Sequence, residues 1–174
     1  NEYYLSPLNR IHKVTPPNWY PTTTTYGSNG GGVANYSSGP SFPTGSLSKV
    51  NVTDPEGLQT TQYTDKKGRL VFSRQRKGGG WLDTYYAYDF KDRLTHVIPP
   101  SAGSTSSPLS FKYEYDGADN MTRKYVPDMG WMEMVYDDRN LLIASQDPKL
   151  AAEEKWLTSL IDGYGRVTQS GFFN

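Results

Sequence analysis

The sequence predicts an all-β protein made of consecutive antiparallel β-hairpins, and two observations lead to this fold class. The chain has 174 residues, among them 14 Tyr, 17 Gly and 12 Pro, and such a composition favours strands and turns over helices. A short motif that begins with an aromatic residue and Asp also recurs along the chain. Its copies are separated by about the length of two strands and two turns, so each unit is interpreted as one hairpin.

The motif consists of an aromatic residue, Asp, two variable positions, Gly, Asn or Asp, usually Arg, and an aliphatic residue. The Asp is expected to begin a turn by accepting hydrogen bonds from the backbone ahead, and the fourth turn position tolerates a positive φ. The aliphatic anchors are Leu70, Leu94, Met121, Leu142 and Val167. The residues assigned to the motif are Tyr63, Asp65, Gly68, Arg69, Tyr88, Asp89, Arg93, Tyr115, Asp116, Tyr136, Asp137, Asp162, Gly165 and Arg166. Another copy, with one extra residue, covers 4–11.

We predict a single β-sheet segment over 1–174, with a Pro-, Gly-, Ser- and Thr-rich insertion at 16–49. This stretch is an insertion in one hairpin or a degenerate repeat, and its aromatic residues favour an ordered loop over a flexible linker. Pro/Gly turns at 54–57 and 127–130 are expected to close the opposite ends of the hairpins. At most one short helix is expected, near 148–156, because an Asp-Pro pair offers an N-cap and a first helical residue.

Charge and composition exclude several classes of function. Eighteen Lys and Arg balance eighteen Asp and Glu, so no net basic field would attract nucleic acid. The chain has no Cys, which excludes disulfides and thiolate metal sites. No run of about 18 apolar residues is present, so we expect no membrane insertion, and the first ten residues lack the pattern of a signal peptide.

The recurring Tyr-Asp-x-x-Gly-Arg-Leu unit resembles the YD repeat of Rhs (rearrangement hotspot) proteins, which also occurs in insecticidal toxin complexes and teneurins. Segments 22–32, 83–89, 97–100 and 146–147 are similar to Rhs-like surface proteins of the Bacteroidetes. The resemblance covers essentially the whole chain as an interior repeat segment. Three positions depart from the repeat: Asn120 and Leu141 stand where Arg is usual, and Ile161 replaces the Tyr.

This resemblance implies a structural function. The strands would form part of a spiral β-shell that encloses or displays a C-terminal effector domain, in a secreted or cell-surface bacterial protein. The implied partners are the flanking YD repeats of the full-length chain and the enclosed domain. A fragment with open strand edges is also expected to self-associate.

No catalytic residue, cofactor or metal is predicted. The two histidines, His12 and His96, are expected on opposite strand faces, and no nucleophile motif accompanies them. The recurring Asp residues are explained by the turns, whereas a glycosidase needs two carboxylates about 5 to 10 Å apart across a cleft. A glycoside-processing enzyme remains a third hypothesis. Calcium at the Asp-rich turn 116–120 is a minor alternative.

The main alternative to a shell segment is a carbohydrate-binding adhesion module. Aromatic side chains on an exposed antiparallel sheet can stack on sugar rings. The candidate residues are Trp19, Tyr20, Trp81, Trp131 and Trp156. The competing interpretation is that aromatics replace aliphatic residues in the packing of a thin sheet.

Overall fold

Antiparallel pairing between sequential strands accounts for nearly all of the regular structure, which confirms the predicted fold class. The computed structural model describes residues 2–3, 10–15, 21–31, 33, 39 and 41–174. The chain forms two compact units, 1–87 with 98–104 and 88–97 with 105–174. The assignment of 1–174 to a single repeat segment stays a prediction.

The first unit is a meander in which each strand pairs with the one that follows it. Its strands are β1 (Glu2–Tyr3), β2 (Ile11–Val14), β3 (Thr22–Ser28), β4 (Ser48–Thr53), β5 (Gln59–Thr64), β6 (Leu70–Lys77) and β7 (Gly80–Tyr88). The last residue of β7 belongs to the second unit. Gly78 and Gly79 connect β6 to β7 with positive φ angles of 55° and 84°, which explains the run of glycines at this tight turn.

The second unit repeats this arrangement with seven strands and a single turn of helix. Its strands are β8 (Leu94–Ile98), β9 (Phe111–Tyr115), β10 (Met121–Val126), β11 (Gly130–Tyr136), β12 (Leu142–Gln146), β13 (Trp156–Ile161) and β14 (Val167–Phe173). The last residue of β8 belongs to the first unit. The helix α1 (Pro148–Ala152) lies between β12 and β13. Asp147 caps it by accepting a 2.8 Å bond from the backbone N–H of Leu150, so the predicted short helix is confirmed.

Three hairpins of the second unit place the first and last residues of the motif opposite each other. Tyr115 pairs with Met121, and Tyr136 pairs with Leu142. Ile161, which replaces the Tyr, pairs with Val167 in the same way. A register shift accompanies each of these pairs, as is usual where a β-bulge adjoins a turn.

Very few side chains are fully buried, as expected for a thin sheet. The buried apolar residues of the described chain are Leu47, Val71, Phe72 and Ile98. Most other strand residues are half-buried. Aromatic rings supply the missing packing in the first unit: Phe72 stacks between Tyr63 and Tyr85, with ring centroids 5.2 and 4.8 Å away.

The stretch 16–49 contributes a strand to the first unit. β3 lies within it and pairs with both β2 and β4, so residues 22–28 belong to the sheet. The buried Asn29 then organises the following loop by accepting a bond from the N–H of Leu47 and donating to the carbonyl of Pro43. Residues 16–20, 32, 34–38 and 40 lie outside the described residues, as does most of the motif copy at 4–11, so the interpretation of 16–49 as an insertion stays a prediction.

Candidate functional site: an edge of linked turns

Five turns of one geometry form the most regular polar feature of the molecule. They cover 65–69, 89–93, 116–120, 137–141 and 162–166, and we call their first residues the turn aspartates: Asp65, Asp89, Asp116, Asp137 and Asp162. One carboxylate oxygen, Oδ1, accepts bonds of 2.9–3.0 Å from the backbone N–H groups two and four residues ahead. The turn closes when the backbone N–H of the Asp donates to the carbonyl of the fifth residue. The side chain therefore holds the turn from inside, as the motif predicts.

The fourth position of every turn has a positive φ. The angles are 82° at Gly68, 67° at Asp92, 69° at Asp119, 60° at Asn140 and 80° at Gly165. This conformation is strained for most side chains and is tolerated by Gly, Asn and Asp. The restriction of the motif to these three residue types at this position follows directly.

A sixth turn, predicted at 54–57 from its Pro and Gly residues, has the same bonds as these five, which the sequence did not indicate. Asp54 accepts from the N–H groups of Glu56 and Leu58 at 2.9 and 2.8 Å, and Gly57 has a φ of 82°. It joins β4 to β5, so it lies at the opposite hairpin end from the turn at 65–69, as the Pro/Gly punctuation had indicated. The sequence pattern of this turn is an Asp followed by a Gly three residues later, and the Tyr that precedes the Asp in the motif is absent.

The environment of the turn aspartates favours their ionised form. Burial alone would raise the pKa of Asp65 and Asp89. Hydrogen bonds from the Arg that closes each turn, the charge of that Arg and the backbone N–H two residues ahead together outweigh burial and lower the pKa. For Asp116, the bond from the Asn side chain that closes its turn lowers the pKa most. For Asp137 and Asp162, the largest cause is the backbone N–H of the fifth turn residue. A carboxylate held in this state is a poor general acid near neutral pH.

Ion pairs join the Asp and the Arg of the same turn. Arg93 Nε donates to Asp89 Oδ2 at 2.7 Å, and Arg166 Nε donates to Asp162 Oδ2 at 2.8 Å. Arg69 makes the same bond to Asp65 at 2.7 Å. These pairs fix the guanidinium groups and leave their other nitrogens to point beyond their own turn.

In the second unit, these other nitrogens join the turns to each other. Because alternate connections of a meander lie at the same end, the turns at 89–93, 116–120, 137–141 and 162–166 line one edge, which we call the turn ladder. Arg93 Nη1 donates to the carbonyl of Asp116 at 2.9 Å and to Asp119 Oδ1 at 2.7 Å. Lys91 Nζ adds a 2.9 Å bond to the same carboxylate. Lys91 and Arg93, from one turn, therefore both donate hydrogen bonds to the next turn.

Side-chain hydrogen bonds also join the remaining turns of the ladder. Arg139 Nη1 donates to the carbonyl of Asp162 at 2.9 Å, which repeats the bond that Arg93 makes to Asp116. Arg139 occupies the third position of its turn, where it compensates for Leu141 at the usual Arg position. Between these two links, Asn120 Nδ2 donates to Asn140 Oδ1 at 2.8 Å. Every successive pair of turns in the ladder is therefore joined by a side-chain hydrogen bond.

The motif tyrosines provide a second set of links between strands. Tyr115 Oη donates to the carbonyl of Leu94 at 2.8 Å, and Tyr136 Oη donates to the carbonyl of Met121 at 3.0 Å. In both cases the acceptor is the aliphatic anchor of the preceding strand. The hydroxyl of each Tyr therefore makes a link to the preceding strand that a Phe could not make.

The candidate carbohydrate-binding residues are distributed over the chain. Trp81 in the first unit is 46% exposed, whereas Trp131 in the second is half-buried and tilted against Tyr125 at 5.4 Å. Trp156 is half-buried on β13 and pairs with Phe173 of β14. Trp19 and Tyr20 lie outside the described residues.

Both histidines lie on strands, His12 on β2 and His96 on β8. His12 Nδ1 lies 3.0 Å from the carbonyl of Thr24 and is a strand residue. Burial, and to a lesser extent Lys112, lowers the pKa of the half-buried His96. Within the described part of the chain, no three His, Asp or Glu side chains form a group that could hold a metal ion. No helix among the described residues is long and apolar enough to cross a membrane.

No protein-family model and no curated protein matches the chain. Among solved structures, a chain in a structure of the Photorhabdus luminescens Tc holotoxin pore is similar, with a TM-score of 0.64 at 15% sequence identity. The fold is that of a segment of a Tc holotoxin chain. The match covers 98% of this chain and 8% of the holotoxin chain, so it describes a fold and not the activity of the whole toxin.

Proposed function

We propose that this chain is a structural repeat segment of a large Rhs-like protein. It forms part of a β-shell that encloses or displays a C-terminal effector domain. The single observation that supports this most is the turn ladder, in which each turn is built by its own Asp and bonded to the next turn. In a repeat array each unit contacts only its neighbours. Links of this kind therefore allow the sheet to be extended by one repeat after another.

The fold similarity supports the same conclusion at a coarser level. A holotoxin chain contains a segment of this fold within a much larger structure, consistent with the YD-type motif of the present sequence. The resemblance of segments such as 22–32 and 83–89 to Bacteroidetes Rhs-like proteins suggests the finer assignment. We propose on this basis that the protein is secreted or attached to the bacterial surface.

The proposed function is structural and not catalytic. The most regular acids of the molecule, the turn aspartates, are engaged by backbone N–H groups and by Arg or Asn side chains, and their pKa values are lowered. A glycoside-processing enzyme would need a carboxyl group with a raised pKa as its acid. We therefore assign the turn aspartates to the stabilisation of the turns.

The outer edge of β14 is the proposed contact for a flanking repeat. Arg166 Nε and Nη2 hold Asp162, as in the turns that reach forward to a neighbour. Among the described residues, its Nη1 makes no bond to a further turn, and its side chain is 74% exposed. By analogy with Arg93 and Arg139, it would donate to the carbonyl of the first Asp in the next turn. An isolated segment is expected to use this edge for self-association.

Deletion of one complete repeat tests the modular interpretation. Removing residues 121–141 joins Asn120 to Leu142, which preserves the turn at 116–120 and takes out β10 and β11 together. We expect a folded protein that unfolds cooperatively with a smaller denaturant m-value, because less surface is exposed on unfolding.

The control deletion removes Gly130–Tyr136, which is β11 alone. To remain antiparallel to β10, the strands after it would have to reverse. This reversal moves their turns to the other end of the sheet and exchanges its two faces, so this variant should misfold. If the 121–141 deletion misfolds to the same extent, the repeat is not a module and the proposal is wrong.

The shell and its location require the full-length protein. Electron microscopy is expected to reveal a closed wall, and limited proteolysis should cut the enclosed domain only after the wall is opened. Protease added to intact bacteria should degrade the repeat region if it lies outside the cell. A protein that resists added protease until the cells are lysed would contradict the proposed location.

A further inference from the structure

One Asn in the chain is followed directly by Gly, and this pair lies at the end of β3. In an Asn-Gly sequence the backbone nitrogen of the Gly can attack the Asn side chain, because Gly has no Cβ to hinder it and its backbone is flexible. The pair is Asn29–Gly30, and no other Asn of the sequence precedes a Gly. The side chain of Asn29 is buried, with 2% exposure, whereas Gly30 is exposed. The pair is not part of any turn of the repeat motif.

Five hydrogen bonds hold Asn29 in the closed loop. Its backbone N–H donates to the carbonyl of Leu47 at 3.2 Å, and its carbonyl accepts from the N–H of Gly45 at 2.9 Å. Its side-chain Oδ1 accepts from the N–H of Leu47 at 2.9 Å. Nδ2 donates to the carbonyls of Pro43 at 2.7 Å and Gly31 at 3.1 Å. The side-chain amide therefore uses its oxygen and both of its N–H donors.

Deamidation of this side chain requires the amide to be free to move. The nitrogen of Gly30 attacks Cγ of Asn29 and loses its proton to water. The new N–Cγ bond closes a succinimide ring, and the Cγ–Nδ2 bond breaks to release ammonia. Water then adds to one of the two ring carbonyls and opens the ring to an aspartate or an isoaspartate. Ring closure needs the reacting atoms close together and correctly oriented, whereas the bonds to Pro43, Gly31 and Leu47 fix the amide in one orientation.

The product of this reaction does not fit the closed loop. A carboxylate only accepts hydrogen bonds, so the oxygen that replaces Nδ2 would face the carbonyls of Pro43 and Gly31 without a proton between them. A buried charge without such partners is strongly unfavourable. An isoaspartate would also insert one more carbon into the backbone at the end of β3, which displaces the groups that pair with Leu47 and Gly45.

We propose that Asn29–Gly30 is a self-modification site that makes an opening of this loop permanent. In the closed loop the amide is retained. When residues 43–47 separate from Asn29, the amide cyclises and is hydrolysed, with water as the only co-reactant, and the resulting acid prevents closure. This inference does not rest on the shell function, because the loop is separate from the turn ladder.

Peptide mapping by mass spectrometry tests whether the closed loop protects the amide. The 174-residue chain is incubated in mildly alkaline buffer, with and without enough urea to unfold it, and conversion of Asn29 to the two acid forms is followed. Conversion in buffer should be at least about tenfold slower than in urea, because it then depends on the small population of the open loop. Asn140, which precedes a Leu, is the internal control and should convert slowly under both conditions.

Two variants separate the effect of the loop from that of the local sequence. Gly30→Ala should slow conversion in urea, because its methyl group hinders the attacking nitrogen. It should fold normally, since a Cβ at this position meets no atom within 4 Å. Gly45→Val places a β-branched residue at a φ of 75°, which favours the open loop. It should raise conversion in buffer several-fold and leave conversion in urea unchanged.

A milder variant is used if Gly45→Val does not fold. Ser46→Ala removes a 2.7 Å bond from the Ser46 hydroxyl to the carbonyl of Pro43. It loosens the same segment without straining the backbone, so conversion in buffer should again rise and conversion in urea should not change.

Hydrogen exchange at the amide of Leu47 tests the consequence of the modification. After conversion in urea and removal of the urea, the converted chain should protect this amide at least about tenfold less than the unconverted chain. Asn29→Asp should reproduce the loss. Gly30→Ala taken through the same treatment is the matched control and should regain protection. The proposal is overturned if folded and unfolded chains convert at equal rates, if loosening the 43–47 segment does not raise conversion in buffer, or if the converted chain regains full protection.

Discussion

Replacement of Asp65 by Ala measures what the turn carboxylate contributes to the first unit. Its Oδ1 accepts from the N–H groups of Lys67 and Arg69 at 2.9 and 3.0 Å, and its Oδ2 accepts from Arg69 Nε at 2.7 Å. The side chain is only 13% exposed, so water replaces these bonds incompletely. A side-chain cap on backbone N–H groups contributes about 0.5–2 kcal/mol, and a hydrogen bond to a charged group about 1.5–3 kcal/mol. Because the N–H of exposed Lys67 regains a water partner, we expect a loss of about 2–3 kcal/mol.

Amide hydrogen exchange in β5 and β6 gives the free energy of opening of this hairpin and is the appropriate assay. Asp65→Asn keeps an oxygen for the two N–H groups and loses only the charged partner of Arg69, so it should cost about 1 kcal/mol. Lys66→Ala, at an exposed position of the same turn, should change the free energy by less than about 0.5 kcal/mol.

Two outcomes would refute this reasoning. If Asp65→Ala costs no more than Lys66→Ala, the carboxylate does not hold the turn. If Asp65→Asn costs as much as Asp65→Ala, the charge of the pair matters and the backbone cap does not.

Three further predictions concern the same turns and the links between them. Gly68→Val should destabilise its hairpin by about 1–2 kcal/mol because a β-branched residue must adopt the positive φ, whereas Gly68→Asn should be tolerated; equal thermal midpoints for the two variants would contradict this. Tyr136→Phe should lower the free energy of unfolding by about 0.5–1.5 kcal/mol through loss of the bond to the Met121 carbonyl, while Tyr164→Phe, at a ring that is 87% exposed, should have no effect in the same urea titration. All five turn aspartates have a pKa below the usual 3.8 in the folded state, so their stabilisation is complete above about pH 4 and is lost as the pH falls through the lower folded values. Circular dichroism between pH 6 and 2 should follow this acid unfolding, and a folded state that is most stable near pH 2 would exclude it.

The individual turns could be predicted because their determinants are local. An Asp that bonds two and four residues ahead, and a Gly, Asn or Asp three residues ahead, are all visible within five positions. The pairing of Tyr115 with Met121 follows from the same short segment. The helix α1 was equally accessible, since its cap and first residue are adjacent in sequence.

The links between turns could not be predicted in the same way. Lys91 and Asp119 are 28 positions apart, and their contact depends on the lengths of two strands and of the loop between them. Arg139 reaches its neighbour from a position where the motif allows any residue.

The two ends of the hairpins in the second unit differ in a way that matters for protein engineering. At one end, every connection is a turn of the ladder, with the same backbone conformation and with side-chain hydrogen bonds to the neighbouring turns. At the other, the chain passes from β10 to β11 through a brief reversal at 127–129 and from β12 to β13 through α1. Epitopes or tags grafted at 127–129 should therefore be displayed without altering the spacing of successive strands. The same grafts in the turn ladder would interrupt the side-chain hydrogen bonds between its turns.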